Sequence, residues 1–240
     1  MFSHTRLKAI YLSSAKSTNG SLILNMFTDE MGKEGFITKN IRGKNSVVKA
    51  SYLMPLNVLD IVADARQNRT LHFIAEAKPA YIPTSLMANP IKRAVSFFVA
   101  EILHRCMHHH QPVKPVFQLM TQWIELYDKA EESTGIYVHW LLAHLIRQLG
   151  IEPLMMPGPL WLDLREGKTT PDEPCHEDKL RPEITSQVYQ LFHQAGLYKP
   201  EVCGRMAKPE VLDALLQYLR LHIPGFGVPK TLSVIKEIFD

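Results

Sequence analysis

The chain has 240 residues, of which 46% are hydrophobic and 21% are charged. That composition suits a globular protein with a buried core and argues against an intrinsically disordered chain. The formal net charge is only +3, yet the first fifty residues hold eight lysines and arginines against three acidic residues. A basic amino-terminal segment favours a polyanionic partner, although a solvated basic face would give the same pattern.

The cysteines and the hydropathy pattern bear on the cellular compartment. Cys106, Cys175 and Cys203 are far apart and odd in number, so no disulfide framework is expected. The amino-terminal sequence lacks the apolar core of a signal peptide, and no apolar run approaches the ~18 residues of a membrane span. We therefore expect a cytoplasmic protein that does not contact a membrane.

The first part of the chain, residues 1–80, is predicted to form strands. Asn19-Gly20 is a strong hairpin signal, and Gly32 lies in a second tight turn. Pro55 should lie at the edge or the start of its strand. The five predicted strands are 7–12, 22–28, 34–38, 53–62 and 71–77. Five short strands in so short a segment fit a small barrel, of which the five-stranded OB-fold is the most common form.

The pattern of apolar residues changes to a helical period after residue 80. The predicted helices are 91–107, 117–127, 136–149, 183–195, 209–221 and 230–239. Residues 152–183 are rich in proline and are predicted to be an irregular excursion. The expected fold is α+β: an N-terminal five-stranded OB-fold β-barrel in residues 1–80, followed by an all-α helical domain in residues 81–240.

A basic loop between two predicted strands is the first candidate site. Its cations are Lys39, Arg42, Lys44 and Lys49. Lysine and arginine neutralise phosphates and release condensed counterions, which gives nucleic-acid affinity that does not depend on sequence. A flexible solvated surface is the alternative interpretation.

OB-folds bind single strands through a charged groove and aromatic side chains that stack on bases. Tyr11, Phe27 and Phe36 lie on the predicted strands. The alternation pattern leaves open whether these three rings face outward or belong to the core.

Metal and catalytic motifs are weak. His104 and His108 have the i, i+4 spacing of a zinc clamp, but no third ligand follows, and the chain has no Cys-x-x-Cys pair. We expect no zinc or other cofactor. The nucleophile-elbow, phosphate-loop and dinucleotide motifs are missing, so we do not expect an enzyme, although an unfamiliar catalytic site stays open.

Three stretches carry a family resemblance. They are residues 5–60, with the glycine turn and the basic loop, then Tyr137–Gly150, and then Tyr218–Ile235. In this order and spacing they resemble RecO, a family of bacterial recombination mediators, over nearly the whole chain and least at 152–183. Many members carry a zinc-binding set of cysteines after the Tyr137-type helix. Only Cys175 stands in that region here, which implies a zinc-less variant.

The resemblance implies a nucleoid-associated DNA-binding mediator of recombinational repair. Such a protein binds single- and double-stranded DNA, anneals complementary strands and helps load RecA onto DNA coated by single-strand-binding protein. RecR and the acidic C-terminal tail of single-strand-binding protein are implied partners, and the tail pocket is expected on the helical domain. The resemblance assigns DNA contact to Arg6, Lys33, Lys39, Arg42 and Lys44. The alternative is an interaction adaptor of a repair complex without direct DNA binding.

Overall fold

The computed structural model describes residues 4–17, 20–39, 41, 46–64, 71–108, 113–131, 135–193 and 208–239. The chain divides into two compact units, Met1–Ala130 and Glu131–Asp240. The change from strand to helix comes earlier, between Tyr81 and Thr84. The first unit therefore contains a barrel together with three helices.

The barrel is closed and has the strand order β1-β2-β3-β5-β4. Neighbouring strands are antiparallel except β3 and β5, which run parallel. The strands are β1 (His4–Lys16), β2 (Leu22–Thr28), β3 (Gly32–Thr38), β4 (Val58–Asp64) and β5 (Leu71–Tyr81). Five strands in this closed arrangement form an OB-fold barrel. The predicted fold class, an OB-fold followed by helices, is confirmed.

Alternation along each strand determines which side chains fill the barrel, because successive residues point to opposite faces. Fully burying each leucine, isoleucine or phenylalanine stabilises the fold by ~1.5–3 kcal/mol. Glu34 and His72 are also buried, with the carboxylate 3.4 Å from the imidazole. The apolar core consists of Leu7, Ala9, Tyr11, Leu24, Met26, Phe36, Val48, Leu59, Ile61, Ala63 and Ile74.

The segment before β4 is a turn, whereas the sequence predicted a strand from residue 53. Leu56 has φ 71°, a left-handed conformation that is uncommon for a leucine. Its backbone N–H donates a 2.9 Å hydrogen bond to the carbonyl of Tyr11, and the N–H of Tyr11 donates another to the carbonyl of Asn57. These two bonds hold the turn against β1, so β4 begins only at Val58.

Three helices complete the first unit: α1 (Thr84–Ala88), α2 (Pro90–Cys106) and α3 (Lys114–Lys129). The side chain of Asn89 accepts hydrogen bonds from the first backbone N–H groups of α2, and a proline occupies the first helical position. Phe27 of β2 packs against Phe117 of α3, with ring centroids 5.8 Å apart. The helices therefore cover part of the outer surface of the barrel.

A buried lysine fastens α2 to the end of α3. The Nζ atom of Lys92 donates hydrogen bonds to the carbonyls of Tyr127 (2.9 Å), Asp128 (3.2 Å) and Ala130 (2.6 Å). Carbonyls at the end of a helix have no partner within the helix. The ammonium supplies that partner, and its positive charge also suits the negative end of the helix dipole.

The second unit contains the remaining helices and a small sheet. The helices are α4 (Ile136–Gln148), α5 (Pro182–His193), α6 (Pro209–His222) and α7 (Leu232–Phe239). The strands β6 (Trp161–Asp163), β7 (Lys168–Thr170) and β8 (Lys179–Leu180) pair in the order β7-β6-β8. The segment predicted to be irregular therefore carries this sheet. Within the ranges described above, no helix has the length and apolarity needed to cross a bilayer.

Candidate nucleic-acid interface

The outer face of the barrel carries a row of apolar side chains. The strand registers pair Ala15 with Ile23, Ile23 with Ile37, and Ile37 with Phe73. The residues that flank them along the strands, such as Leu24, Phe36 and Ile74, belong to the core, so the four members of the row point outward. Phe73 is 47% exposed. We call these four residues the outer row.

Two exposed lysines lie near the outer row, on different faces of the sheet. Lys39 follows β3 two residues beyond Ile37 and so shares its outward parity, whereas Lys16 is next to Ala15 and pairs with Leu22, which packs against the core. No side-chain partner for either ammonium is present among the described residues. Both lysines are therefore available to an anionic ligand.

The basic loop after β3 is attached to the barrel. Ile41 and Val48 both pack against the barrel core, and Val48 is fully buried. Lys49, directly after Val48, is exposed. The connections 39–57 and 65–70 together contain six lysines and arginines and no acidic residue. The predicted DNA-contact residues Arg42 and Lys44 lie outside the described residues.

Arg6 is exposed on β1, as its predicted role requires, but its surroundings have mixed charge. It lines a groove of about 480 Å³. Three basic and three acidic side chains line this groove: Arg6, Lys8, Lys78, Asp29, Asp60 and Glu76. Asp60 lies 3.2 Å from the ammonium of Lys8 and 3.9 Å from that of Lys78. A phosphate is therefore bound less favourably in this groove, where acidic side chains are present, than at Lys39, which has no acidic partner among the described residues.

Lys33 does not fit the DNA contact that the resemblance assigned to it. Its side chain is 8% exposed, and its Nζ donates a 2.8 Å hydrogen bond to the backbone carbonyl of His104 near the end of α2. Burial lowers the pKa of this ammonium. Because α2 covers this outward position of β3, Lys33 cannot reach a phosphate, and we remove it from the proposed contact set.

The aromatic side chains also differ from the candidates considered from the sequence. Tyr11, Phe27 and Phe36 are all buried, at 4%, 0% and 0% exposure. They form core contacts and are not stacking surfaces. The exposed aromatic ring on the described part of the barrel is Phe73, which lies between the inward side chains His72 and Ile74. Sequence reasoning missed it because apolar residues on both faces of β5 hide the alternation.

The described residues of the second unit do not form a structural zinc site. Within 151–193 the single cysteine is Cys175, which is exposed, and Cys203 lies outside the described residues. No group of three or more potential ligands occurs in the described part of the chain, whereas structural zinc needs four. Contacts within the sheet segment include a 3.1 Å hydrogen bond between His176 and Asp163 and a 2.6 Å ion pair between Arg165 and Asp178.

The fold defines an OB-fold protein in which helices follow the barrel, with exposed lysines at the end of β1 and after β3. A family model described as "Recombination protein O N terminal" matches residues 1–82. DNA repair protein RecO of Christiangramia forsetii is 30% identical over 244 residues, which cover 100% of both chains. The corresponding proteins of Porphyromonas gingivalis and Bacteroides fragilis are each 29% identical. The alignment with the Porphyromonas gingivalis protein covers 97% of this chain and 98% of that relative. The alignment with the Bacteroides fragilis protein covers 96% of this chain and 97% of that relative. This chain belongs to the RecO family.

Proposed function

We propose that this protein is a DNA-binding recombination mediator in recombinational DNA repair, and that it acts by electrostatic contact without catalysis. Its relatives are named DNA repair proteins, which supports a role in repair and recombination. The observation that carries the DNA-binding proposal is the set of exposed lysines at the end of β1 and in the connection after β3. Lys16, Lys39 and Lys49 have no acidic partner among the described residues.

The proposed mechanism follows from charge. Lysines on the barrel hold the phosphates of a bound strand and displace its condensed cations, which makes the affinity depend strongly on salt. Reduced charge on the bound strand lowers its repulsion for a complementary strand, so the two anneal faster. No covalent bond changes in this process, and it needs no metal or nucleotide cofactor. The protein therefore binds both single- and double-stranded DNA through their phosphates.

The finer proposals concern partners, and family membership supports them. The protein would work with RecR, contact the acidic C-terminal tail of single-strand-binding protein through its helical part, and so help RecA load onto coated DNA. Contact with an acidic tail would also depend on salt, because exposed charges are screened within about 10 Å at 0.1 M salt.

The annealing of two complementary labelled oligonucleotides, with and without the purified full-length protein, tests this function. The wild-type protein should accelerate annealing at low salt. The variant Lys39→Glu/Lys49→Glu should lose most of the acceleration.

The matched control is Lys114→Glu/Lys208→Glu, which changes the net charge equally at two exposed positions at the N-termini of α3 and α6. Glutamate is favourable at helix N-termini, so the control should fold normally and anneal like the wild type. If the wild-type protein neither binds nor anneals DNA, the proposal is wrong, and an adaptor without DNA contact becomes the better account.

A further inference from the structure

Phe73 presents an exposed aromatic ring at an outward-facing position of β5, where the fold would also accept a polar side chain. It is 47% exposed on β5, beside Ile37 of β3. We propose that Phe73 and the outer row form a stacking platform for unpaired nucleobases. This inference rests on the proposed function and specifies which part of single-stranded DNA this face contacts, namely its bases.

The shape of the platform supports this assignment. The outer row crosses four strands from β5 to β1, so it extends for about 14 Å at the usual strand spacing of ~4.8 Å. Aromatic rings on such a sheet can stack on any base, because every base has a π-face.

The charges around the platform select its occupant. Lys39 borders this apolar surface without lying inside it, on the same face of β3 as Ile37. A single nucleic-acid strand has this same arrangement, since its bases are apolar on their faces and its phosphates run alongside them. The acidic neighbour of Phe73 on β4, Asp64, is buried, so its carboxylate does not form part of the surface that a base would contact. An acidic peptide would use the lysine but would leave the aromatic ring without a stacking partner.

A second exposed phenylalanine provides a matched control. Phe97 of α2 is also 47% exposed, and it lies on a helix of the same unit. Phe73→Ala and Phe97→Ala therefore remove the same side chain from equally exposed positions. The affinity of each full-length variant for fluorescein-labelled oligo(dT) is measured by anisotropy, after circular dichroism has confirmed that it folds.

We expect Phe73→Ala to weaken oligo(dT) binding by about 5- to 150-fold, the range for loss of stacking on one base, and Phe97→Ala to leave it unchanged. Phe73→Ala should not change the slope of affinity against salt, because no charge is removed. On a phosphodiester chain of the same length without bases, Phe73→Ala should bind like the wild type. Phe73→Trp should retain the affinity, and its added fluorescence should be quenched by oligo(dT).

The outcomes separate this inference from the proposed function. If the wild-type protein does not bind oligo(dT), the proposed function fails. If the wild type binds but Phe73→Ala and Phe97→Ala bind equally well, only the stacking platform is wrong, and the outer row belongs to another partner. An equal loss of affinity on the chain without bases would also overturn the stacking platform, because the contact would then be made to the backbone.

Discussion

The phenol of Tyr81 donates a 2.7 Å hydrogen bond to the carboxylate of Asp128, which joins the last residue of β5 to the end of α3. The same carboxylate accepts a 2.8 Å hydrogen bond from the backbone N–H of Ser85 in α1. Asp128 thus connects a strand and two helices. This contact, together with Lys92, fixes the helices of the first unit on the barrel.

Loss of this hydrogen bond should destabilise the first unit. We expect Tyr81→Phe to lower the free energy of unfolding by ~1–3 kcal/mol, because the phenol donates to a charged acceptor. Urea unfolding followed by circular dichroism measures the change. Tyr52→Phe is the control, since the Tyr52 hydroxyl has no hydrogen bond to the described residues. Equal stability of the two variants would show that the bond contributes nothing.

The same contact predicts a pH dependence. Burial, followed by the hydrogen bond to Asp128, raises the pKa of Tyr81 above its ordinary value of 10.0. The contribution of the Tyr81 phenol to the free energy of unfolding is therefore complete below pH 10.0, and it is lost as the pH rises through the raised pKa. Burial opposes ionisation of Asp128, but the hydrogen bonds from Tyr81, Ser85 and Leu86 outweigh it and lower its pKa below 3.8. The contribution of the Asp128 carboxylate to the free energy of unfolding is present above pH 3.8, and it is lost as the pH falls through the lowered pKa.

The difference in unfolding free energy between the wild type and Tyr81→Phe should therefore be constant from about pH 5 to about pH 9 and should shrink outside that range. Urea unfolding at a series of pH values measures this difference. A difference that changed steadily across neutral pH would contradict the assignment.

Lys33 and Lys39 should behave differently in DNA binding, although both are lysines of the same strand region. Lys39→Met should reduce the slope of log affinity against log salt by about 0.7, the value for one phosphate contact on a single strand. Lys33→Met should leave the slope unchanged, because its ammonium is bonded to the carbonyl of His104. Anisotropy titrations at several salt concentrations measure both slopes. An equal reduction in the two variants would show that Lys33 reaches the DNA.

These two lysines also show how far the sequence can be interpreted. The hairpin glycines and the strand pattern predicted five strands and the class of barrel, because turn chemistry and alternation act locally. The fate of Lys33 is decided by α2, whose residue His104 lies 71 positions further along the chain. No local pattern records such a contact. The outward position of Phe73 could not be predicted for the same kind of reason. Which side chains of β5 point outward is determined only by the pairing of β5 with β3 and β4.

The start of β4 and the short strands of the second unit were predicted wrongly for other reasons. Leu53–Val62 has the composition of a strand, and its apolar residues are indeed buried or partly buried. Leu56 nevertheless adopts φ 71°, which no propensity scale assigns to leucine, because hydrogen bonds to Tyr11 hold it there. The sheet at 161–180 was missed because its strands have only two or three residues each.

A glycine in the second unit should be sensitive to substitution. Gly167 has φ +63°, and a Cβ atom there would lie 2.7 Å from the Tyr218 hydroxyl, which itself donates a 2.8 Å hydrogen bond to the carbonyl of Ile151. Gly150 has φ +74° but open space around it. We expect Gly150→Ala to cost ~1 kcal/mol from backbone strain and Gly167→Ala ~2–4 kcal/mol from strain and displacement of Tyr218. Urea unfolding compares them, and equal costs would contradict the close approach.

The small sheet of the second unit should be insensitive to chelators. Asp178 accepts hydrogen bonds from Arg165 (2.6 Å) and from Gln217 of α6 (2.5 Å). We expect EDTA to leave the Tm unchanged and Asp178→Ala to lower the free energy of unfolding by ~1–3 kcal/mol. Differential scanning calorimetry with and without EDTA, together with a zinc assay of the purified protein, tests this. Stoichiometric zinc, or a lower Tm in EDTA, would contradict it.

The salt dependence of single-strand binding tests the central claim most directly. The affinity of the full-length protein for oligo(dT) is measured over a series of salt concentrations for the wild type, for Lys39→Glu/Lys49→Glu and for Lys114→Glu/Lys208→Glu. Loss of two phosphate contacts should reduce the slope of log affinity against log salt by about 1.4 in the first variant, and the second should keep the wild-type slope. Equal slopes in all three proteins would show that Lys39 and Lys49 do not bind the DNA backbone.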